Sequence, residues 1–172
     1  MMAFVAIGLM VSFISTSCCR SSKSGNFVTD SIKYDTTATV GKAKIECHIV
    51  ADYPTSGNPA LTNSISEWMN ENMENEYQGS LTEGKTVIHA WGKVTADSLI
   101  DEAQKMYKDF SDMGEMELTR QVSLRKTYET KDFVTYTMEY YSYDGGAHGM
   151  STTEGATFRK SDGRKFGWDI FS

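Results

Sequence analysis

The segment 118–143, LTRQVSLRKTYETKDFVTYTMEYYSY, decides the fold class. Leu118 to Tyr128 and Phe133 to Tyr143 are two long runs in which apolar and polar residues alternate, the period of a strand with one buried face. The residues between them, Glu129-Thr130-Lys131-Asp132, are polar and few enough to close an antiparallel hairpin. Thr152 to Trp168 carries a second hairpin signal, the turn Ser161-Asp162-Gly163-Arg164 between Phe158 and Phe166.

Ahead of this region the period changes. Leu99, Ile100, Ala103, Met106, Tyr107 and Phe110 form an apolar stripe at helical spacing, capped by Thr95 or Asp97 and ending near Gly114. Leu61, Ile65, Trp68, Met69 and Met73 form another, with Glu67, Asn70, Glu71 and Glu74 on its outer face and Gly79 as its stop. That spacing assigns Trp68, Met69 and Met73 to a core rather than to a partner-binding stripe. Asn58 and Pro59 supply its N-cap and first helical residue, after a turn-rich loop from Tyr53. Thr86 to Trp91 reads as a short strand or as part of a loop. Phe27 to Tyr53 holds two strands split at Gly41-Lys42, and in the second Ile45, Cys47, Ile49, Ala51 and Tyr53 face away from Glu46, His48 and Asp52. Cys47 is therefore expected to be a buried, inert thiol. The order β-β-α-(β)-α-β-β-β-β favours an α+β fold, an antiparallel β-sheet with two helices packed against it.

The N-terminus reads as an export address. Ala3 to Ile14 is an apolar run of signal-peptide length, too short to span a bilayer, and ends in Ser15-Thr16-Ser17-Cys18. Small residues before a cysteine resemble a lipobox, which makes residues 1–17 a lipoprotein signal and Cys18 the acylated first mature residue, with Cys19 as the alternative. Ser15 stands where an aliphatic residue is usual, and no Lys or Arg precedes the run. Residues 18–26 are a polar tether. No Asp follows Cys18, which favours a membrane anchor in the outer membrane, facing the periplasm or the cell surface. Residues 27–172, roughly 145 in number, are of single-domain size. With 40% apolar and 23% charged residues this domain should fold, and a net charge of −6 speaks against a nucleic-acid partner.

Two segments carry a family resemblance. Tyr53-Pro54, with a helix bearing Asn63 and Ile65 after a short loop, resembles the extracytoplasmic domain of unknown function in the deacetylase PdaC and the anti-sigma factor RsiV. Tyr141-Ser142-Tyr143-Asp144-Gly145-Gly146-Ala147-His148-Gly149, then Phe158, Asp162-Gly163 and Asp169-Ile170-Phe171, is similar to the module that usually follows it. Relatives continue past that last element, so residues from about 132 to 172 are expected to be a shortened second module. The resemblance implies an envelope domain that binds or senses a peptidoglycan-related ligand or a muramidase-like protein, with metal-dependent chemistry on a separate domain.

The residues themselves point to one candidate site. Gly145, Gly146 and Gly149 permit close backbone approach, so amides there can hold a carboxylate or sugar hydroxyl between the stacking faces of Tyr141 and Tyr143, beside Asp144 and His148. The competing reading is a tight strand connection in which His148 bonds a backbone carbonyl. Asp144, His148 and Ser151 lack any sign of an activated hydroxyl or oxyanion site, so no catalytic residue is assigned. His48, His89 and His148 are far apart, and neither metal-ligand spacing nor a phosphate loop occurs, so no metal or cofactor is expected. The acidic run Glu67 to Glu76 is a solvated helix face that can also attract a cationic protein. The leading expectation is a non-enzymatic envelope lipoprotein; the alternatives are a cell-wall hydrolase using Asp144 and His148, and a structural subunit of an envelope complex.

Overall fold

Alternation of the kind read in 118–143 runs through every long strand of the computed structural model, which describes residues 26–110 and 114–167. Strands β1 (Val28–Val40), β2 (Ala43–Ser56), β3 (Met116–Glu129), β4 (Phe133–Asp144), β5 (Met150–Arg159) and β6 (Lys165–Phe166) form one sheet in chain order. Helices α1 (Pro59–Glu71) and α2 (Gly84–Asp109) lie between β2 and β3 in the chain and cover one face of the sheet. This is an α+β fold with two helices on a mostly antiparallel sheet. The leader, Cys18, Cys19, nearly all of the tether and Asp169-Ile170-Phe171 fall outside the described residues.

One face of each strand is apolar because the register aligns the alternating sets. Ile45, Ile49 and Ala51 of β2 lie opposite Leu118, Val122 and Leu124 of β3, and Leu124 lies opposite Met138 of β4. Leu61, Ile65 and Met69 of α1 and Val87, Ile88, Trp91 and Leu99 of α2 close over them, all buried. At about 1.5–3 kcal/mol for each large side chain taken from water, this layer is the main source of stability.

The sheet is antiparallel, as expected, at every pairing but one: β2 and β3 pair parallel, Ala43 opposite Met116 through Ala51 opposite Leu124. The cause is α2, which starts beside Tyr53 near the end of β2 and finishes beside Gly41 at its start, where the Tyr107 hydroxyl accepts a hydrogen bond from the Lys42 amide. A helix that returns the chain to that end obliges the next strand to run as β2 does. Residues 86–91 are neither strand nor loop but the first turns of α2, which begins at Gly84, well before the expected Thr95 or Asp97 cap. Finally, β2 runs on through Pro54 to Ser56, where a loop was expected, with the register shift opposite it at Val28 and Thr29 absorbing the missing amide hydrogen.

At the other end of that segment α1 stops at Glu71, short of Gly79. The Asn70 side chain accepts from the Tyr77 amide and donates to the Tyr77 carbonyl, which satisfies that backbone outside the helix and turns the chain away. The N-terminus of α1 is as expected: the Asn58 side chain accepts from the Ala60 amide, and Pro59 is the first helical residue. Among the described residues no helix is long and apolar enough to cross a membrane.

Cys47 is fully buried, as its place in the strand implied, and burial pushes its thiol up to about 11. A pKa raised in the folded state gives stability that is complete below the unfolded thiol's value and disappears as pH rises through the folded one. Denaturant melts from pH 9 to pH 11 should therefore lose stability more steeply in the parent than in a Cys47→Ala variant. Parallel pH profiles would refute this.

Candidate functional site

Among the described residues the second face of the sheet carries no helix. On β1 it presents Ser31, Lys33 and Asp35; on β2, Glu46, His48 and Asp52; on β3, Gln121, Ser123 and Arg125; on β4, Glu139 and Tyr141. These are the polar halves of the same alternations that fill the core, so the exposed face is polar by construction. It encloses a hollow of about 570 Å³, lined by side chains of five strands from Lys33 to Thr153. That volume lies in the range of about 300–1,000 Å³ usual for small-molecule sites.

Polar groups in the hollow are held by cross-strand bonds. His48 Nδ1 is 2.8 Å from Asp35 Oδ1, and Nε2 is 3.8 Å from a Glu46 oxygen. The hydrogen bond from Lys44 to Glu46 holds that carboxyl below its usual range. Arg125 Nη1 donates to Asp52 Oδ1 at 2.9 Å and to the Ser31 hydroxyl at 3.2 Å. Such bonds fix the lining without using the donors and acceptors that remain on Gln121, Ser123 and Glu139. Sequence reading marked His48 and Asp52 only as the outward side of a strand. The signal that places them in a site is the pairing of that side with the polar side of β3, which needs the parallel register.

The seven residues singled out in 141–149 do not form one cluster. Tyr141 lines the hollow on the open face, and its side chain lies against Gly149, where any Cβ would meet phenol atoms at 2.4–2.6 Å. Tyr143 and Gly145 line a neighbouring hollow of about 560 Å³ with Lys42, Lys44 and Glu117, and the Tyr143 hydroxyl donates to the Gly146 carbonyl at 2.9 Å. Asp144 points to the helix side, where it accepts from Arg120. The exposed His148 ring has Nδ1 3.4 Å from the Gly149 carbonyl. No hydrogen bond joins Asp144, His148 and Ser151 among the described residues.

Arg120 was not singled out, yet it is the main charge under the helices, with its side chain only 13% exposed. Burial pulls its pKa down, but the Asp144 hydrogen bond and the charges of Tyr140, Asp144 and Glu74 beside it more than offset that and leave it raised. Tyr140, pushed up by burial and then by its bond to Glu74, completes this group. The arrangement ties the start of the glycine-rich turn to β3. Among the described residues no three His, Cys, Asp or Glu side chains converge as a metal ion requires.

Comparison with known proteins places this fold. No curated protein matches the chain. The structure of a DUF3298 family member from Bacteroides fragilis shares the fold at 21% sequence identity with a TM-score of 0.59, over 84% of this chain and 60% of that one. A DUF3298 family protein from Pseudomonas aeruginosa aligns at 11% identity and a TM-score of 0.45, over 83% of this chain and 56% of its own. The chain thus spans less than two thirds of the length of either. The family model described as deacetylase PdaC matches residues 31–151, which reach from β1 across both helices to the first two residues of β5. With that much of the chain matched, this protein belongs to the PdaC family.

Proposed function

We propose that the chain is a non-enzymatic, lipid-anchored envelope protein that binds a peptidoglycan-related ligand on the open face of its sheet. The observation that carries this reading is the polar hollow of about 570 Å³, which offers Gln121, Ser123 and Glu139 as hydrogen-bonding groups and Tyr141 as a stacking face. Hydroxyl-rich rings suit that lining, since they take many hydrogen bonds at their edges and an aromatic ring on their faces. The leader and Cys18 support anchorage in the outer membrane, and the family supports an extracytoplasmic role.

Binding of soluble peptidoglycan fragments, followed by calorimetry, tests the site. Tyr141→Ala and Gln121→Ala should each weaken binding by about tenfold, equivalent to roughly 1.4 kcal/mol for a lost stacking or hydrogen-bonding group. His148→Ala reports whether the turn beyond Tyr141 takes part. Full affinity in Tyr141→Ala would dismiss the open face as the site.

A second reading, hydrolysis of an acyl group on the same ligand, is favoured by the His48–Asp35 pair within the hollow and by the deacetylase description of the family model. Turnover abolished by His48→Ala with binding retained would establish it over the binding-only reading.

A further inference from the structure

Among the described residues the outer edge of β1 has no strand beside it, since β1 pairs with β2 alone; it is longer than the other unpaired edge, Met150 to Ala156 of β5. Thirteen residues long, it holds no Pro, and its pairing with β2 is regular from Thr29 to Val40. Proteins usually blunt such an edge with short length, bulges or proline, because its free amides and carbonyls template another strand. β1 has none of these over most of its length.

We propose that this edge pairs with β1 of a second copy, antiparallel about a two-fold axis through Tyr34. In the strand, VTDSIKYDTTATV, positions 28 and 40, 29 and 39, and 31 and 37 match in kind about Tyr34, and Lys33 and Asp35 flank it with opposite charges. In the register that pairs all of it, Val28 lies opposite Val40, Thr29 opposite Thr39, Ser31 opposite Thr37, and Tyr34 opposite its own copy. Lys33 then faces Asp35 of the partner subunit twice, once on each side of the axis. Residues opposite one another share a face, so the two helical layers stay on one side and the two open faces on the other. The nearest registers on either side that keep the faces matched set Lys33 against Lys33 or Asp35 against Asp35, where like charges repel. The charge pattern therefore selects the fully overlapped register. Lys33 has no ion pair within its own chain among the described residues.

The helical layer also accommodates the pairing. α2 packs over β1 and β2, and the Tyr34 ring meets His89 of α2 edge-on at 5.6 Å between centroids. Adding one strand spacing between the two β1 strands puts the two α2 helices about 10 Å apart, close to the separation at which helices pack. The flank of α2 beside Tyr34 carries Lys93 and Asp97, an exposed pair of opposite charges with no net charge to oppose the approach of a second α2.

Sedimentation equilibrium of the full chain in mild detergent tests the dimer. The parent should show a monomer–dimer equilibrium. Lys33→Glu and Asp35→Lys should each weaken it roughly tenfold or more, because each places like charges opposite twice, and the doubly substituted chain should regain it. Circular dichroism melts of the same variants separate lost pairing from lost folding, and a double variant that folds yet stays monomeric overturns the proposal. A monomer at every concentration, association indifferent to both single substitutions, or an edge that takes up extended peptides without self-association would also overturn it.

Discussion

Trp91→Ala should unfold this protein about 10–15 °C below the parent in a calorimetric scan. Trp91 is 2% exposed, on the face of α2 turned to the sheet, with Val87, Ile88, Thr95 and Leu99 buried along the same line. Its indole Nε1 donates to Asn70 Oδ1 at 3.1 Å, and that oxygen also accepts from the Tyr77 amide at 2.8 Å. One side chain thus joins α2 to α1 and to the connection between them. Removing it leaves a cavity that costs about 3–5 kcal/mol, and a domain of this size loses roughly 2–4 °C per kcal/mol. Trp91→Phe isolates the hydrogen bond from the volume. Asn70 keeps the Tyr77 amide as donor, so the phenylalanine variant should lose no more than about 2 kcal/mol. Equal losses in both variants would mean that the bond, not the packed ring, holds the helices.

The same helix shows where sequence reading stopped. Long alternations in 118–143 are legible because a strand half buried across its whole length repeats every second residue, and the hairpin link between them is short and polar. The C-terminal half of α2 is legible for the corresponding reason at helical period. Its first turns are not, since Gly84, Thr86, Val87, Ile88 and Gly92 are poor helix formers and only tertiary packing makes them helical. The steps Val87, Trp91, Thr95, Leu99 and Ala103, each four residues apart and all buried, were the available signal. With that start unread, the length of α2 was hidden, and with it the reason that β3 must run parallel to β2.

The site was legible in proportion to how local it is. A turn such as Gly145 to Gly149 announces itself in consecutive residues, whereas the open face assembles Lys33, His48, Gln121, Glu139 and Ser151 from five strands. Each looks like an ordinary outward residue until the register brings it beside the others. Tyr141 belongs to both descriptions, as the last aromatic of the hollow and the ring laid across Gly149. Asp144 belongs to neither, because one step along β4 moves it to the face under the helices, where Arg120 holds it.

Gly163→Ala is the smallest substitution expected to cause a comparable loss. The turn between β5 and β6 docks on the first turn of α1: Asn58 caps the helix with its oxygen and donates through Nδ2 to the carbonyls of Lys160 and Ser161 at 3.2 and 2.6 Å. Gly163 sits in that contact with φ of +72°, and a Cβ there would lie 2.3 Å from the Ala60 carbonyl oxygen and 2.8 Å from the Leu61 nitrogen. Those are backbone atoms of a capped helix, so no rotamer change relieves the contact. A left-handed conformation costs a non-glycine residue roughly 1–2 kcal/mol, and forcing the turn off the helix adds about 1–3 kcal/mol. The variant should lose about 3 kcal/mol, read as a melting point lower by roughly 10 °C. Asn58→Ala, which removes the cap and both bonds to the turn but adds no atom, should fall short of that loss by about 1 kcal/mol. A Gly163→Ala protein that melts with the parent would mean that the turn stands clear of α1 in solution, and the helix would then owe its position to Leu61, Ile65 and Met69 alone.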